Sequence, residues 1–260
     1  MISEKIVFQD SLWTKLVWIL SRPNEWYDMP IVIACHGFWS TKENTTNFEL
    51  SKLITDKWIA YFCYDSFAHW ESTWNFVDMT ISKSIDWIKS AIEFIKSIWF
   101  NRLWLFWSSF GWHTILNYIW QHSNNIICVA TKSLPSDYYE RKEEQMRWEL
   151  MEKYISKWYR IYSARWRDNK VSYDFHTDAK KHSLYVHWLN IQCPTLLLHS
   201  IDDKDVPYCQ STKLFKIIPE CELITFKWVW HNLKSQDWEI NKNPEANEYF
   251  VNFFKKYLLE

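Results

Sequence analysis

Along most of this chain, short apolar runs alternate with longer segments whose apolar residues recur every three or four positions. Residues 6–8 and 16–20 are apolar runs across a polar stretch, which predicts an opening antiparallel pair. Residues 30–35 form an uninterrupted apolar run rich in β-branched side chains, the mark of a strand buried on both faces. Helical spacing follows at 44–57, through Phe48, Leu50, Leu53 and Ile54, and again at 79–97, through Ile81, Ile85, Ile88, Ile92 and Ile95. A strand is predicted between them at 59–64, and further strands at 102–106, 126–130, 193–199 and 221–226. Helices are expected after the 102–106 strand, at 208–218 and at 245–259. This alternation predicts an α/β fold: a mostly parallel central sheet covered by helices on both faces, in one domain spanning 1–260.

The rhythm breaks between 133 and 190. Charge is dense at Glu140-Arg141-Lys142-Glu143-Glu144, and a helix is expected from there to Lys157. Residues 159–163 and 171–173 alternate like a short hairpin, with the turn expected across Arg167-Asp168-Asn169-Lys170. The stretch reads as a small inserted cap at about 133–190; a solvated excursion without a role in binding fits it equally well.

Charge narrows the partners. A net charge of −1 offers no basic field for nucleic acid. No apolar run approaches the ~20 residues of a membrane span. The N-terminus lacks the charged-then-apolar layout of a signal peptide, and the six cysteines are scattered without a C-x-x-C pair. Buried free thiols in a reducing cytoplasm are the expectation, with no cofactor and no metal site. Three histidines, His36, His69 and His113, lack metal-ligand spacing.

Composition holds one anomaly. The chain has 2 Gly and 20 Trp, together 22, where average usage gives about 18 glycines. The tryptophans also stand where a permissive backbone is needed. Trp13 lies between two strands, Trp99 follows a helix, and Trp70 and Trp74 bracket a polar loop. Some bacterial genetic codes read UGA as glycine where a common translation table writes tryptophan. The expectation is that most Trp positions here are glycine positions; a genuinely Trp-rich protein is the alternative.

The chemistry concentrates at Leu103-Trp104-Leu105-Phe106-Trp107-Ser108-Ser109-Phe110-Gly111. A buried strand that turns through a serine into a helix is a nucleophile elbow, here W-x-S-x-G in place of G-x-S-x-G. Ser109 is then the candidate nucleophile, and it needs a base. His231 follows the last strand, in the frame Trp228-Val229-Trp230-His231. The base needs a carboxylate to orient it, and Asp203 follows the preceding strand, with Asp202 and Asp205 as competitors. The order serine, aspartate, histidine is that of α/β-hydrolases.

At these residues the sequence resembles the α/β-hydrolase superfamily, in particular small carboxylesterases of the cinnamoyl and feruloyl esterase kind, with kinship to prolyl-oligopeptidase-like and dienelactone-hydrolase-like enzymes. Five landmarks carry the resemblance, in order: His36-Gly37-Phe38, the loop from Asp65 to Ser72, the elbow, the segment from His199 to Pro207, and His231. The resemblance covers residues 5 to 258 and implies the α/β-hydrolase fold. It also implies an oxyanion hole from the backbone N–H groups of Phe38 and Phe110, and a histidine at position 69 that packs near the site without reacting. Ser200 departs from the family, which often has glycine there.

Together these features predict a serine hydrolase acting on a small-molecule carboxylic ester through an acyl-enzyme, with Ser109, His231 and Asp203 as the triad. An exopeptidase or amide hydrolase with the same triad is the runner-up; Glu43, Glu71 or Arg165 are its candidates for holding a peptide terminus. A non-catalytic binding protein is the reading if the tryptophans are genuine. The sequence leaves oligomeric state open.

Overall fold

The computed structural model describes residues 1–9, 14–38, 40–66, 69–72, 75–122, 126–136, 148–164, 167–182, 191–234 and 244–257. Its centre is an eight-stranded sheet. In chain order the strands are β1 (Ile2–Gln9), β2 (Lys15–Arg22), β3 (Ile31–Cys35), β4 (Ala60–Tyr64), β5 (Leu103–Ser108) and β6 (Ile126–Lys132), then β9 (Thr195–Ser200) and β10 (Cys221–Phe226). A separate two-stranded hairpin is made by β7 (Tyr159–Ala164) and β8 (Arg167–Ser172). The large sheet has the order β1-β2-β4-β3-β5-β6-β9-β10. Only β2 runs against the other seven strands.

The helices are α1 (Thr45–Thr55), α2 (Ile81–Ser97), α3 (Gly111–His122), α4 (Trp148–Lys157), α5 (Tyr173–Lys181), α6 (Cys209–Phe215) and α7 (Pro244–Lys256). Strand alternation divides the core in two. Ile31, Ile33, Leu105 and Trp107 face a layer holding Ile88 and Ile92 of α2, Ile115 of α3 and Leu214 of α6. Val32, Ala34, Trp104 and Phe106 face Leu50 and Ile54 of α1 and Phe250 and Phe254 of α7. A period of two along each strand sends successive side chains to opposite faces, so both faces of the parallel strands are apolar.

The order of strands places the site. From β3 the chain crosses to β4 on one side, then to β5 on the other. The crevice outside the carboxyl ends of β3 and β5 is therefore the point where winding reverses, the usual ligand position in open α/β sheets. The loop beginning at His36 and the turn at Ser109 both lie there.

Between β6 and β9, neighbours in the sheet, the chain makes the excursion expected as a cap. Its described part differs from expectation in where the strands of the hairpin lie. Ala164 at the end of β7 pairs with Arg167, so Arg167 to Lys170 lie within β8. The segment after the hairpin is a helix, α5, whose only buried apolar residues are Phe175 and Ala179. It docks on α2 through Asp178, which accepts from the Ser82 N–H (2.7 Å) and hydroxyl (2.8 Å). The start of the helix expected from 140 lies outside the described residues. Four of the six cysteines are buried thiols, whereas Cys209 is exposed and Cys221 half-buried. Among the described residues no helix is long and apolar enough to cross a membrane.

The backbone bears directly on the tryptophans. Among the described residues, eight non-glycine residues have positive φ, and five of them are Trp58, Trp70, Trp99, Trp158 and Trp228. An L side chain at such an angle costs about 1–2 kcal/mol. All five indoles are more than half exposed, so burial does not offset that cost. Trp58, Trp99 and Trp158 sit just beyond the ends of α1, α2 and α4, where a helix favours glycine. Among the described residues, the buried Trp18 and Trp104 each leave an indole N–H without a partner. Trp13, Trp39 and Trp74 lie outside the described residues. The expected outcome is that the gene carries UGA at codons 58, 70, 99, 158 and 228, and that peptide mass spectrometry of the natural protein finds glycine there. UGG codons and tryptophan masses contradict it.

Candidate active site

β5 ends at Ser108 and α3 begins at Gly111, so two residues turn the chain from strand to helix. Ser109 takes φ 52°, a left-handed angle that points its hydroxyl out of the turn. Its N–H donates to the Lys132 carbonyl at the end of β6 (3.0 Å). The chain's two glycines both flank this corner. A Cβ on Gly111 would lie 2.1 Å from the Trp107 ring, and one on Gly37 would lie 3.2 Å from Ser109 Cβ. Bare backbone is therefore required on one side for the helix to start, and on the other for the β3 loop to approach the serine.

Three residues predicted from sequence are brought into line. Ser109 Oγ lies 2.9 Å from His231 Nε2, and His231 Nδ1 lies 2.7 Å from Asp203 Oδ2. The Asp203 side chain is fully buried, and that of His231 is 23% exposed. Asp203 Oδ1 accepts from the N–H groups of Asp205 (2.8 Å) and Val206 (2.9 Å). His199 Nε2 approaches Asp203 Oδ2 at 3.2 Å. Burial alone would raise the Asp203 carboxyl, but the His199 and His231 contacts and the Val206 N–H outweigh it. The net effect holds Asp203 well below the usual carboxylate range, ionised opposite the imidazole. The competitors are occupied differently. Asp202 accepts from the Trp228 N–H (2.7 Å), and Asp205 is exposed. The donor atoms of Asp203, Asp205 and His231 lie within 4.8 Å of one another, a spacing that suits a metal ion. The Asp203 oxygens and both His231 nitrogens, however, already face the partners just named.

Several residues that sequence reasoning missed hold this line in place. His199, fully buried, faces the acceptors Asp203 Oδ2 and Val206 O with Nε2, while Nδ1 meets the Ser211 hydroxyl at 2.6 Å. Ser200, the departure from the family pattern, donates to the Val229 carbonyl (2.9 Å) and accepts from the Asp202 N–H (3.1 Å). Ser133 donates to the carbonyl of His231 itself. Two strand ends thus grip the loop that carries the imidazole.

The loop after β3 is anchored by a buried cation. Lys42 is 1% exposed, and its Nζ donates to Asp65 Oδ2 (2.7 Å) and Glu71 Oε2 (2.6 Å). Those hydrogen bonds, with one from Lys5, bring the Glu71 carboxyl down to about 2. Glu71 is therefore committed to this cluster, whereas Glu43 lines the pocket and Arg165 lies outside the described residues. His69 stacks edge-on with His36 (4.9 Å) and Phe76 (5.1 Å). The Phe38 ring meets Phe110 (4.9 Å) and Phe175 of α5 (5.9 Å), joining α5 to the corner. The side chain of His113, in α3, lies outside the described residues, as does that of Trp112.

His36 is structural. Its Nε2 accepts from the Ser66 N–H (3.0 Å), so the hydrogen is on Nδ1, which donates to the Gly37 carbonyl (2.8 Å). Burial pushes its pKa down to about 4 from 6.5, with Lys42 adding and the Gly37 hydrogen bond opposing. Between pH 6.5 and about 4 the unfolded chain binds a proton here that the folded chain refuses. Stability therefore falls as pH falls through that window, by up to about 3 kcal/mol at this residue. Urea unfolding of wild type and His36→Gln across the window checks this: the variant is expected to show the shallower pH dependence, and equal slopes contradict it.

No family model matches the chain, and no curated protein matches it in sequence. Solved structures do match. Est1E from Butyrivibrio proteoclasticus, with ferulic acid bound, superposes with a TM-score of 0.81 over 98% of this chain and 100% of its own, at 17% identity. Mouse alpha/beta hydrolase domain-containing protein 10 gives 0.78 over 97% of each chain at 17% identity. The esterase domain of a Rhodothermus marinus protein gives 0.71 over 99% of this chain and 100% of its own, at 15% identity. The likeness is one of fold.

Proposed function

We propose that this chain, which has the α/β-hydrolase fold, is a serine hydrolase that cleaves carboxylic esters through an acyl-enzyme. The observation that carries the reading is the line from Ser109 Oγ through His231 to the buried Asp203, at 2.9 and 2.7 Å. His231 Nε2 takes the Ser109 proton as the oxygen attacks the ester carbonyl, and Asp203 stabilises the imidazolium. The backbone N–H groups of Phe38 and Phe110 face the developing oxyanion, each worth about 3 kcal/mol of barrier. His231 then protonates the departing alkoxide, and a water activated by the same nitrogen hydrolyses the acyl-enzyme. The close approach of Gly37 to Ser109 supports the role given to Phe38, because it brings the next N–H beside the nucleophile.

A fluorophosphonate probe is expected to label Ser109, and Ser109→Ala to lose both labelling and turnover of short p-nitrophenyl esters. Retained turnover in that variant contradicts the reading. Asp203→Asn is expected to lower kcat by about 10⁴ at neutral pH, because the imidazole loses the acceptor that sets its tautomer. Steady-state kinetics on the same esters measure it.

A further inference from the structure

The pocket containing Ser109 and His231, about 380 Å³, also holds a buried lysine. Lys132 is the last residue of β6 and is 6% exposed. Its Nζ donates to the Thr46 hydroxyl (2.9 Å), and among the described residues no carboxylate lies within 4.0 Å of it. Lys42, equally buried, is clasped by two carboxylates. A buried ammonium without a counter-ion is costly, so the comparison marks Lys132 as a charge awaiting one. Burial pushes its pKa down to about 8, the nearby charge of Lys234 pushes the same way, and Glu49 opposes. Glu49 is itself engaged by Asn247 (2.8 Å). Lys234 lines the same pocket, as does the start of α1, where Asn44 caps the Asn47 N–H. The positive end of that helix dipole therefore faces the same space. Glu43 is the one carboxylate among the pocket's described lining; its side chain is 61% exposed and turned toward Lys42 (3.7 Å).

We infer that this wall is an anion subsite: the ester cleaved at Ser109 carries a carboxylate or phosphate group, which Lys132 and Lys234 bind. The inference rests on Ser109 as nucleophile and adds the substrate class. Lys132 here is a binding residue that fixes the acidic end of the substrate, leaving proton transfer to His231.

The test uses neutral p-nitrophenyl butyrate as substrate, with glutarate and inorganic phosphate as competitors. Wild type is expected to be inhibited competitively by at least one of them. The inhibition constant is expected to rise tenfold or more in Lys132→Met and severalfold in Lys234→Gln. Inhibition by glutarate alone assigns a half-ester of a dicarboxylic acid, and inhibition by phosphate a phosphate-bearing ester. No inhibition by either, or constants unchanged in both variants, overturns the subsite. Lys234 lies at the half-buried rim, so its variant serves if Lys132→Met does not fold. Thermal shifts with the same two anions read the subsite without turnover. Anion stabilisation that the lysine variants lose, in a protein that neither hydrolyses the ester nor takes the probe, keeps the subsite and rejects the hydrolase reading.

Discussion

A serine held at φ 52° between a buried strand and a helix is the constraint on which the rest of this molecule depends. A left-handed angle at a non-glycine residue costs on the order of 1–3 kcal/mol and persists only where the surroundings over-determine it. Here they do. The Ser109 N–H is fixed by the Lys132 carbonyl, and Gly111 admits the Trp107 ring against the helix start. Gly37 lets the β3 loop come within van der Waals contact of the serine Cβ. The corner raises one hydroxyl above the carboxyl ends of the parallel strands, at the place where winding reverses.

From that corner the remaining parts are matters of reach. His231 arrives from beyond β10, 122 residues from Ser109 in sequence. Ser133 after β6 and Ser200 at the end of β9 hold its carbonyls, while Asp203 holds the ring. The Asp203 charge is bearable in a buried position because two imidazoles and two N–H groups surround it. The Lys42 cluster does the same for the opposite wall, tying the β3 loop to the β4 loop. Lys42 meets two carboxylates, whereas among the described residues no carboxylate lies within 4.0 Å of Lys132.

The sheet and its helices were legible in the sequence because parallel strands buried on both faces read as continuous apolar runs. Ser109, Asp203 and His231 were legible because each follows a strand and their order is distinctive. The excursion between β6 and β9 was less so. Arg167 to Lys170 looks like a turn, but Asp168 and Lys170 are exposed along β8, where a strand tolerates charge. Helix α5 offers only Phe175 and Ala179 as buried apolar residues, too few for a periodic signal. Lys132 was hidden by a boundary: the apolar run stops at Ala130, two residues short of the end of β6. Ser133 has no local signature, since its partner His231 comes from another part of the chain. The tryptophans were legible as misfits before any coordinates, and Trp58, Trp70, Trp99, Trp158 and Trp228 do adopt glycine's backbone angles.

The central claim is that the His231 ring is clamped between the Asp203 carboxylate and the Ser109 hydroxyl in the resting protein. Proton NMR in water tests it most directly, through the strongly downfield resonance of an imidazole N–H bonded to a buried carboxylate. The account predicts such a resonance in wild type, retained in Ser109→Ala and lost in both Asp203→Ala and His231→Gln. A spectrum without it, or one in which it survives the loss of Asp203, contradicts the account.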